Sequence, residues 1–186
     1  MLAALKARFN GADDFCLREL TAGGQVLYAL FLDGMTSGSD ISDFVVRPLM
    51  ENLRPGTPEE LYAQAQRGAV WCAVCEEADS AEAAADKLTH GYCVVVFPGL
   101  AKALCFEAKS GTRRGPSAPE SENTVKGAKD AFTETIRINT ALVRRHLRTP
   151  ELRFVSKTVG RRTQTNVTVC SIAGLTDPKL VARMEK

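Results

Sequence analysis

The 186-residue sequence predicts an α/β protein built as two small mixed α/β subdomains related by an internal repeat, the second incomplete at its C-terminus. Three observations predict this. Stretches with helix period and stretches with strand period alternate along the chain. A first hairpin ends Leu32-Asp33-Gly34-Met35-Thr36 directly before a helix, and a later one ends Ile172-Ala173-Gly174-Leu175-Thr176 directly before another, which reads as one unit used twice. The last helical pattern reaches Lys186 with no glycine cap or breaker, so a longer parent polypeptide is expected to continue. The expected division is a first subdomain over residues 1–108, an exposed linker over 109–126 and a second subdomain over 127–186.

Each element has a local reason. Residues 2–9 read as a short helix, and 14–20 and 25–32 as strands joined by the glycine-rich turn Thr21-Ala22-Gly23-Gly24. Asp40 suits the N-cap of a helix over 41–53, with Phe44, Val45, Leu49 and Leu53 on one stripe and a distortion at Pro48. Thr57-Pro58-Glu59-Glu60 supplies a cap, a proline at the first position and acids against the dipole, opening a helix that ends near Gly68. A strand over 70–76, a helix over 80–88 closed by His90-Gly91, and a hairpin of 92–97 with 101–108 around Pro98-Gly99 follow. The stretch 109–126 holds two glycines, two prolines and three serines and almost nothing apolar, hence the linker. The longest helix is expected over 127–147, stopping before Pro150, then strands over 152–159 and 166–172 and a final helix opened by Asp177-Pro178.

A composition of 45% apolar and 25% charged residues places the chain among ordinary globular proteins. Charge is unevenly spread. Residues 111–162 hold 12 Lys/Arg against 5 Asp/Glu, while the remainder holds 12 against 17. Such a basic region suits phosphates, acidic headgroups or an acidic protein, and its plain alternative is a solvated basic helix and loop. Cys16, Cys93, Cys105 and Cys170 lie in apolar runs, where thiols act as small buried hydrophobes. The start Met1-Leu2-Ala3-Ala4-Leu5-Lys6 lacks the pattern of a secretory signal, so free thiols in a reducing compartment are expected. The most apolar stretch, 92–106, is broken by Pro98, Gly99 and Lys102, well short of the ~20 residues a spanning helix needs.

Motifs of catalysis are weak. Trp71-Cys72-Ala73-Val74-Cys75 invites a redox reading, but a strand setting followed by Glu76 and Glu77 raises a thiol pKa where catalysis needs it lowered. A lone C-x-x-C gives no structural zinc site. His90 and His146 sit at predicted helix ends, where a cation suits the dipole. No enzyme activity, cofactor or metal is expected. Nucleic acid is not an expected partner either, since the basic region has no aromatic stacking platform or helix-turn-helix pattern. The informative region runs from Arg113-Arg114 to Arg148. On its helix Phe132, Ile136, Val143 and Leu147 form an apolar stripe with Asn139 set into it, its amide bonded to a neighbouring loop. Arg137, Arg144 and Arg148 form a second face, with local pairing of Glu134 to Arg137 as their plain reading.

The run Pro119-Glu120-Ser121-Glu122, Val125-Lys126-Gly127, Lys129-Asp130-Ala131-Phe132, Glu134, Arg137 and Asn139-Thr140-Ala141-Leu142-Val143-Arg144-Arg145 resembles the signature of the spore germination receptor A-subunit family. Phe31-Leu32-Asp33-Gly34, Arg47-Pro48-Leu49 and Gly160-Arg161-Arg162-Thr163 agree with it. The family shows Gly-Pro-Arg-Glu where Gly127-Ala128-Lys129-Asp130 stands, and arginine in place of Lys126, and a sister branch found with dipicolinic acid transport genes shares the pattern.

The resemblance implies a cytosolic N-terminal region of two α/β subdomains, followed in the parent protein by spanning helices of the inner spore membrane. It implies other receptor subunits and the missing membrane region as partners, and no chemistry of its own. The candidate binding residues are Arg113, Arg114, Glu120, Glu122, Lys126, Gly127, Glu134, Arg137, Asn139, Arg144 and Arg145. The alternative is a small-molecule module whose cleft between the subdomains holds a ligand, with Arg113, Arg114 or Arg137 clamping an anion.

Overall fold

The structure, a computed structural model, describes residues 1–110 and 131–184. Strands β1 (Phe15–Ala22), β2 (Gln25–Leu32), β3 (Cys75–Ala78), β4 (Tyr92–Val96) and β5 (Ala103–Glu107) form one antiparallel sheet in the order β1-β2-β4-β5-β3. Two further strands, β6 (Leu152–Val159) and β7 (Thr165–Ile172), pair only with each other.

Helices cover both faces of the large sheet. On one lie α2 (Gly38–Asp40) and α3 (Arg47–Asn52), joined by a π-helical segment Ile41–Val46, together with α4 (Pro58–Gln64). On the other lie α1 (Leu2–Arg8) and α5 (Ala81–Thr89). Strand β4 shows why its sequence reads as an unbroken apolar run. Cys93 and Val95 point into the first layer and Val94 and Val96 into the second, so no face is left for water. Helices α6 (Ile136–His146) and α7 (Pro178–Met184) pack beside the β6–β7 hairpin.

Several expectations hold at residue level. Gly23 and Gly24, both at positive φ, make the two-residue turn between β1 and β2. Thr57 and Glu60 form a reciprocal capping box on α4. Ser80 caps α5, and Gly91 at φ 84° ends it.

Others are corrected. The helix expected at 41 begins at Gly38, and its cap is Ser37, whose hydroxyl accepts from the Asp40 amide at 3.3 Å. Pro48 disturbs the turn before it, as its missing N–H requires. The Phe44 carbonyl that residue 48 would bond accepts instead from the Trp71 amide at 3.1 Å. The Phe44 ring lies outward at 48% exposure and leaves the expected apolar stripe. The strand expected at 70–76 starts only at Cys75, because the Trp71 amide is taken by the Phe44 carbonyl of the π-helical segment and the Cys72 thiol donates to the Val74 and Glu107 carbonyls. Cys93 and Cys105 are buried as expected, but Cys16 is half-buried and Cys170 exposed on the open hairpin.

The short edge strand β3 is fixed by its carboxylates. Glu76 accepts from Lys87 and from the Tyr92 hydroxyl, and Glu77 from the Tyr62 hydroxyl, Lys102 and Gln66. These hydrogen bonds hold both carboxyls below the ordinary glutamate value. A depressed folded-state pKa stabilises above the unfolded value, and that contribution is lost as pH falls through the folded one. Thermal midpoints recorded downward from pH 6 should therefore fall below about pH 4.5, and Glu76→Gln with Glu77→Gln should flatten that slope. An unchanged slope in the double variant would assign acid lability elsewhere.

Candidate functional site

Helix α6 meets the start of β1 and the turn after β2, and one side chain dominates the junction. Arg144 is fully buried. Its Nε and Nη2 grip the Asp14 carboxylate at 2.7–3.0 Å, its Nη1 donates to the Thr149 carbonyl at 2.8 Å and its Nη2 to that of Leu152 at 3.2 Å. Its guanidinium lies 5.0 Å from the Phe154 ring centroid. Asp14 immediately precedes β1, and Leu152 opens β6, so this arginine ties the large sheet, α6 and the small hairpin together. Burial pushes the Asp14 carboxyl up from its ordinary value, and the guanidinium pulls against that rise.

Backbone contacts continue the seam. Asp13 donates its amide to the Phe154 carbonyl at 2.9 Å and accepts from the Ser156 amide, and Arg153 donates to the Arg8 carbonyl at 2.7 Å. Further along α6, Arg137 pairs with Asp33 at the end of β2. Gly34, at φ +79°, lets the helix approach so closely that an added Cβ would lie 3.0 Å from that of Ala141.

Beside this contact a cleft of about 770 Å³ opens between the β2–α2 turn and α6. Ser37, Ser39 and Asp40 line one wall, and Arg137 and Arg145 the other. Arg137 is engaged by Asp33, whereas Arg145 is exposed with no ion pair among the described residues.

The predicted site residues thus separate. Arg113, Arg114, Glu120, Glu122, Lys126 and Gly127 lie outside the described residues. Asn139 acts as expected of an amide bonded to a neighbouring segment. Its Oδ1 accepts from the Thr133 amide and its Nδ2 donates to the Thr133 carbonyl, both at 2.7 Å. That clasp, with β-branched Thr133 and Thr135, holds residues 131–135 out of the helix, so α6 begins at Ile136.

The expected faces of that helix are also corrected. Phe132, Ile136 and Leu147 are exposed, and Ala141 and Arg144 are what it buries, because the ion pair and the glycine contact lie on that side. Arg144 therefore leaves the solvated arginine face, Arg148 bonds its own turn at the Arg145 carbonyl, and Glu134 gives way to Asp33 as the partner of Arg137. The sequence reading did not single out Asp14 as a site residue. No local signal marks Asp14, because β1 is a half-exposed edge strand and the partner that buries the carboxylate lies 130 residues away.

At the junction burial, with Asp33 and Asp14, pushes the Cys16 thiol up from its ordinary value. In the C-x-x-C, Cys75 is pushed up to about 11, chiefly by burial and by Cys72. Among the described residues no group of three or more His, Cys, Asp or Glu is placed to hold a metal ion, and no helix is long and apolar enough to cross a membrane.

Residues 3–186 match the Bacillus/Clostridium GerA spore germination protein family. The chain belongs to that family. It is 30% identical over 178 residues to the uncharacterized membrane protein YfkQ of Bacillus subtilis, covering 95% of this chain and 34% of that protein. It is 30% identical over 173 residues to stage V sporulation protein AF of the same species, covering 93% and 35%, and 24% identical over 197 residues to spore germination protein GerLA of Bacillus cereus, covering 100% and 38%. The family member thus spans about a third of the length of these relatives. Its fold is that of the N-terminal domain of the A subunit of the Bacillus megaterium spore germinant receptor GerK3, with a TM-score of 0.72 at 24% identity over 99% of this chain and 68% of that one. The α/β architecture expected from the sequence is therefore shared with a solved domain.

Proposed function

We propose that the chain is the N-terminal domain of a membrane-anchored germinant receptor A subunit, on the cytosolic side of the inner spore membrane. There it serves nutrient-triggered germination through subunit assembly and signal transmission rather than catalysis. The observation that carries this reading is the family match over nearly the whole length. In it, residues 1–108 and 127–186 act as two units joined by 109–126, and partner subunits engage the exposed cations beside the seam. The named relatives that act in germination and their membrane-protein relative support the setting.

The test is charge reversal at Arg137 and Arg145, both at the surface. Spores carrying the double Arg→Glu variant should germinate several times more slowly, roughly, while the purified chain loses no more than about 1 kcal/mol, since exposed pairs contribute little. Unchanged germination kinetics with normal protein levels would remove the seam from signalling.

The cleft beside Ser37 and Arg145 favours a second reading, in which it binds a small molecule. The 30% identity to stage V sporulation protein AF equally suits the dipicolinic acid transport branch. A thermal-shift panel of amino acids and dipicolinate separates these from a scaffold. A rise in melting temperature that Arg145→Gln abolishes selects the cleft, and silence across the panel selects the scaffold.

A further inference from the structure

The Cys72-Ala73-Val74-Cys75 motif has no part in the junction, yet the fold changes how its two thiols stand. In a regular strand positions 72 and 75 would project to opposite faces. Here the strand begins only at Cys75, and the chain bends at Ala73. In the register Cys75 lies opposite Phe106, and Phe106 opposite Cys93, so the three side chains share one face of the sheet. Cys72 packs against the apolar cluster of that same face, which contains Phe106 and Cys93. Both thiols of the motif therefore stand on one side of the β3–β5 edge.

The sulfur of Cys72 is aimed along the motif. It lies 3.4 Å from the Val74 carbonyl oxygen, which belongs to the peptide group joining Val74 to Cys75, and 3.2 Å from the Glu107 carbonyl oxygen. A thiol has one proton and is a weak donor, so these contacts orient the sulfur without committing it. The backbone on both sides is pinned. The Val74 carbonyl also accepts from the Glu107 amide at 3.2 Å, and the Trp71 amide donates to the Phe44 carbonyl at 3.1 Å. Cys75 reaches solvent at the sheet edge, while Cys72 is half-buried behind it. An outer thiol backed by an inner one is the arrangement of an attacking and a resolving cysteine.

We propose that Cys72 and Cys75 form a reversible disulfide latch that closes on a low-molecular-weight disulfide such as oxidised glutathione. The Cys75 sulfur attacks one sulfur of the oxidant, and a first glutathione leaves with the Cys75 proton. The Cys72 sulfur then attacks Cys75 in the mixed disulfide, and the second glutathione leaves with the Cys72 proton. Two protein thiols are oxidised, and the disulfide of the oxidant is reduced to two thiols. Excess thiol runs the same steps backward. Because Cys75 is pushed up to about 11, it is slow both as nucleophile and as leaving group. The latch is therefore set and released slowly, unlike the couple of a redox enzyme, whose thiol is held low. Closure replaces the Cys72 hydrogen bonds by a covalent ring and fixes the bend at Ala73, between the π-helical segment and β5.

The test is overnight incubation of the folded 186-residue chain with oxidised glutathione at about pH 8, then acid quench, alkylation and tryptic mass mapping. Cleavage after Arg67 and Lys87 leaves Cys72 and Cys75 as the only cysteines of one peptide. That peptide is expected to escape alkylation, to be lighter by two hydrogens and to revert with dithiothreitol. Trp71, the single tryptophan, adjoins the pair, and its emission should fall on closure because a disulfide quenches a neighbouring indole. Cys72→Ser should stop at the mixed disulfide, leaving the peptide one glutathione heavier. Cys75→Ser should lose both the lighter peptide and the quench. Matching circular dichroism confirms that each variant is folded.

The proposal is overturned if the native peptide keeps two alkylated thiols, if it stops at a glutathione adduct, or if Cys72 is found joined to Cys93 instead. It is also overturned if the lighter peptide arises only after urea has unfolded the chain, since the fold then keeps the sulfurs apart. None of these results bears on germination in spores, so the subunit reading stands or falls separately.

Discussion

Arg144→Met is expected to destabilise the chain by about 3–5 kcal/mol, the cost of leaving one partner of a buried ion pair alone. Four of its hydrogen-bonded or stacked neighbours lie on three different segments, so urea unfolding should show the hairpin and the large sheet losing their connection. The pH dependence should identify the cause. With the guanidinium gone, the main opposition to the upward push of burial on Asp14 is lost and only a backbone hydrogen bond still pulls its pKa down. A carboxyl whose folded pKa is raised stabilises fully below the unfolded value and loses that contribution as pH rises through the folded one. The deficit of Arg144→Met should therefore be larger at pH 7 than near pH 4. Adding Asp14→Leu removes the orphaned carboxylate and should restore much of the loss at pH 7, because a buried pair replaced by apolar groups is often near neutral. A deficit that is flat with pH and is not rescued would show that packing around Phe154, not the charge, sets the effect.

Most of the first unit was legible because its signals are local. The Thr57 capping box, the Gly23-Gly24 turn and the valine run of β4 each follow from neighbours in sequence. What sequence misjudged depends on long-range partners. Arg144 looks like its neighbour Arg145 in sequence, and only Asp14, 130 residues earlier, turns it inward. Phe44 belongs to an apolar stripe by period, yet Pro48 frees its carbonyl for Trp71 and the ring ends outside. Periodicity chooses a buried face from hydrophobicity alone. On α6 that rule selected Phe132, Ile136 and Leu147, whereas the face actually covered is decided by an ion pair and a glycine.

The repeated Gly-apolar-Thr signal shows the same division between local and distant causes. After β2 the Met35 and Thr36 amides donate to the Leu32 carbonyl, and after β7 the Leu175 and Thr176 amides donate to that of Ile172. Gly34 and Gly174 sit at nearly the same angle, φ +79° and +80°. Their surroundings differ. A Cβ at Gly34 would meet the Ala141 Cβ at 3.0 Å and the Arg137 carbonyl at 3.3 Å, while one at Gly174 would meet nothing within 4 Å.

Alanine at Gly174 should then cost only the left-handed backbone penalty, about 1–2 kcal/mol. Alanine at Gly34 adds overpacking against α6 and should reach about 2–4 kcal/mol. The gain from a stiffer unfolded chain is common to both and cancels in the difference. Urea midpoints of the two variants thus isolate how firmly α6 rests on the β2–α2 turn. If Gly34→Ala is no worse than Gly174→Ala, the helix stands off the turn in solution and the adjoining cleft is wider than 770 Å³. If it is clearly worse, and Arg137→Glu germinates slowly, then the same contact that positions α6 also carries the signal across the seam.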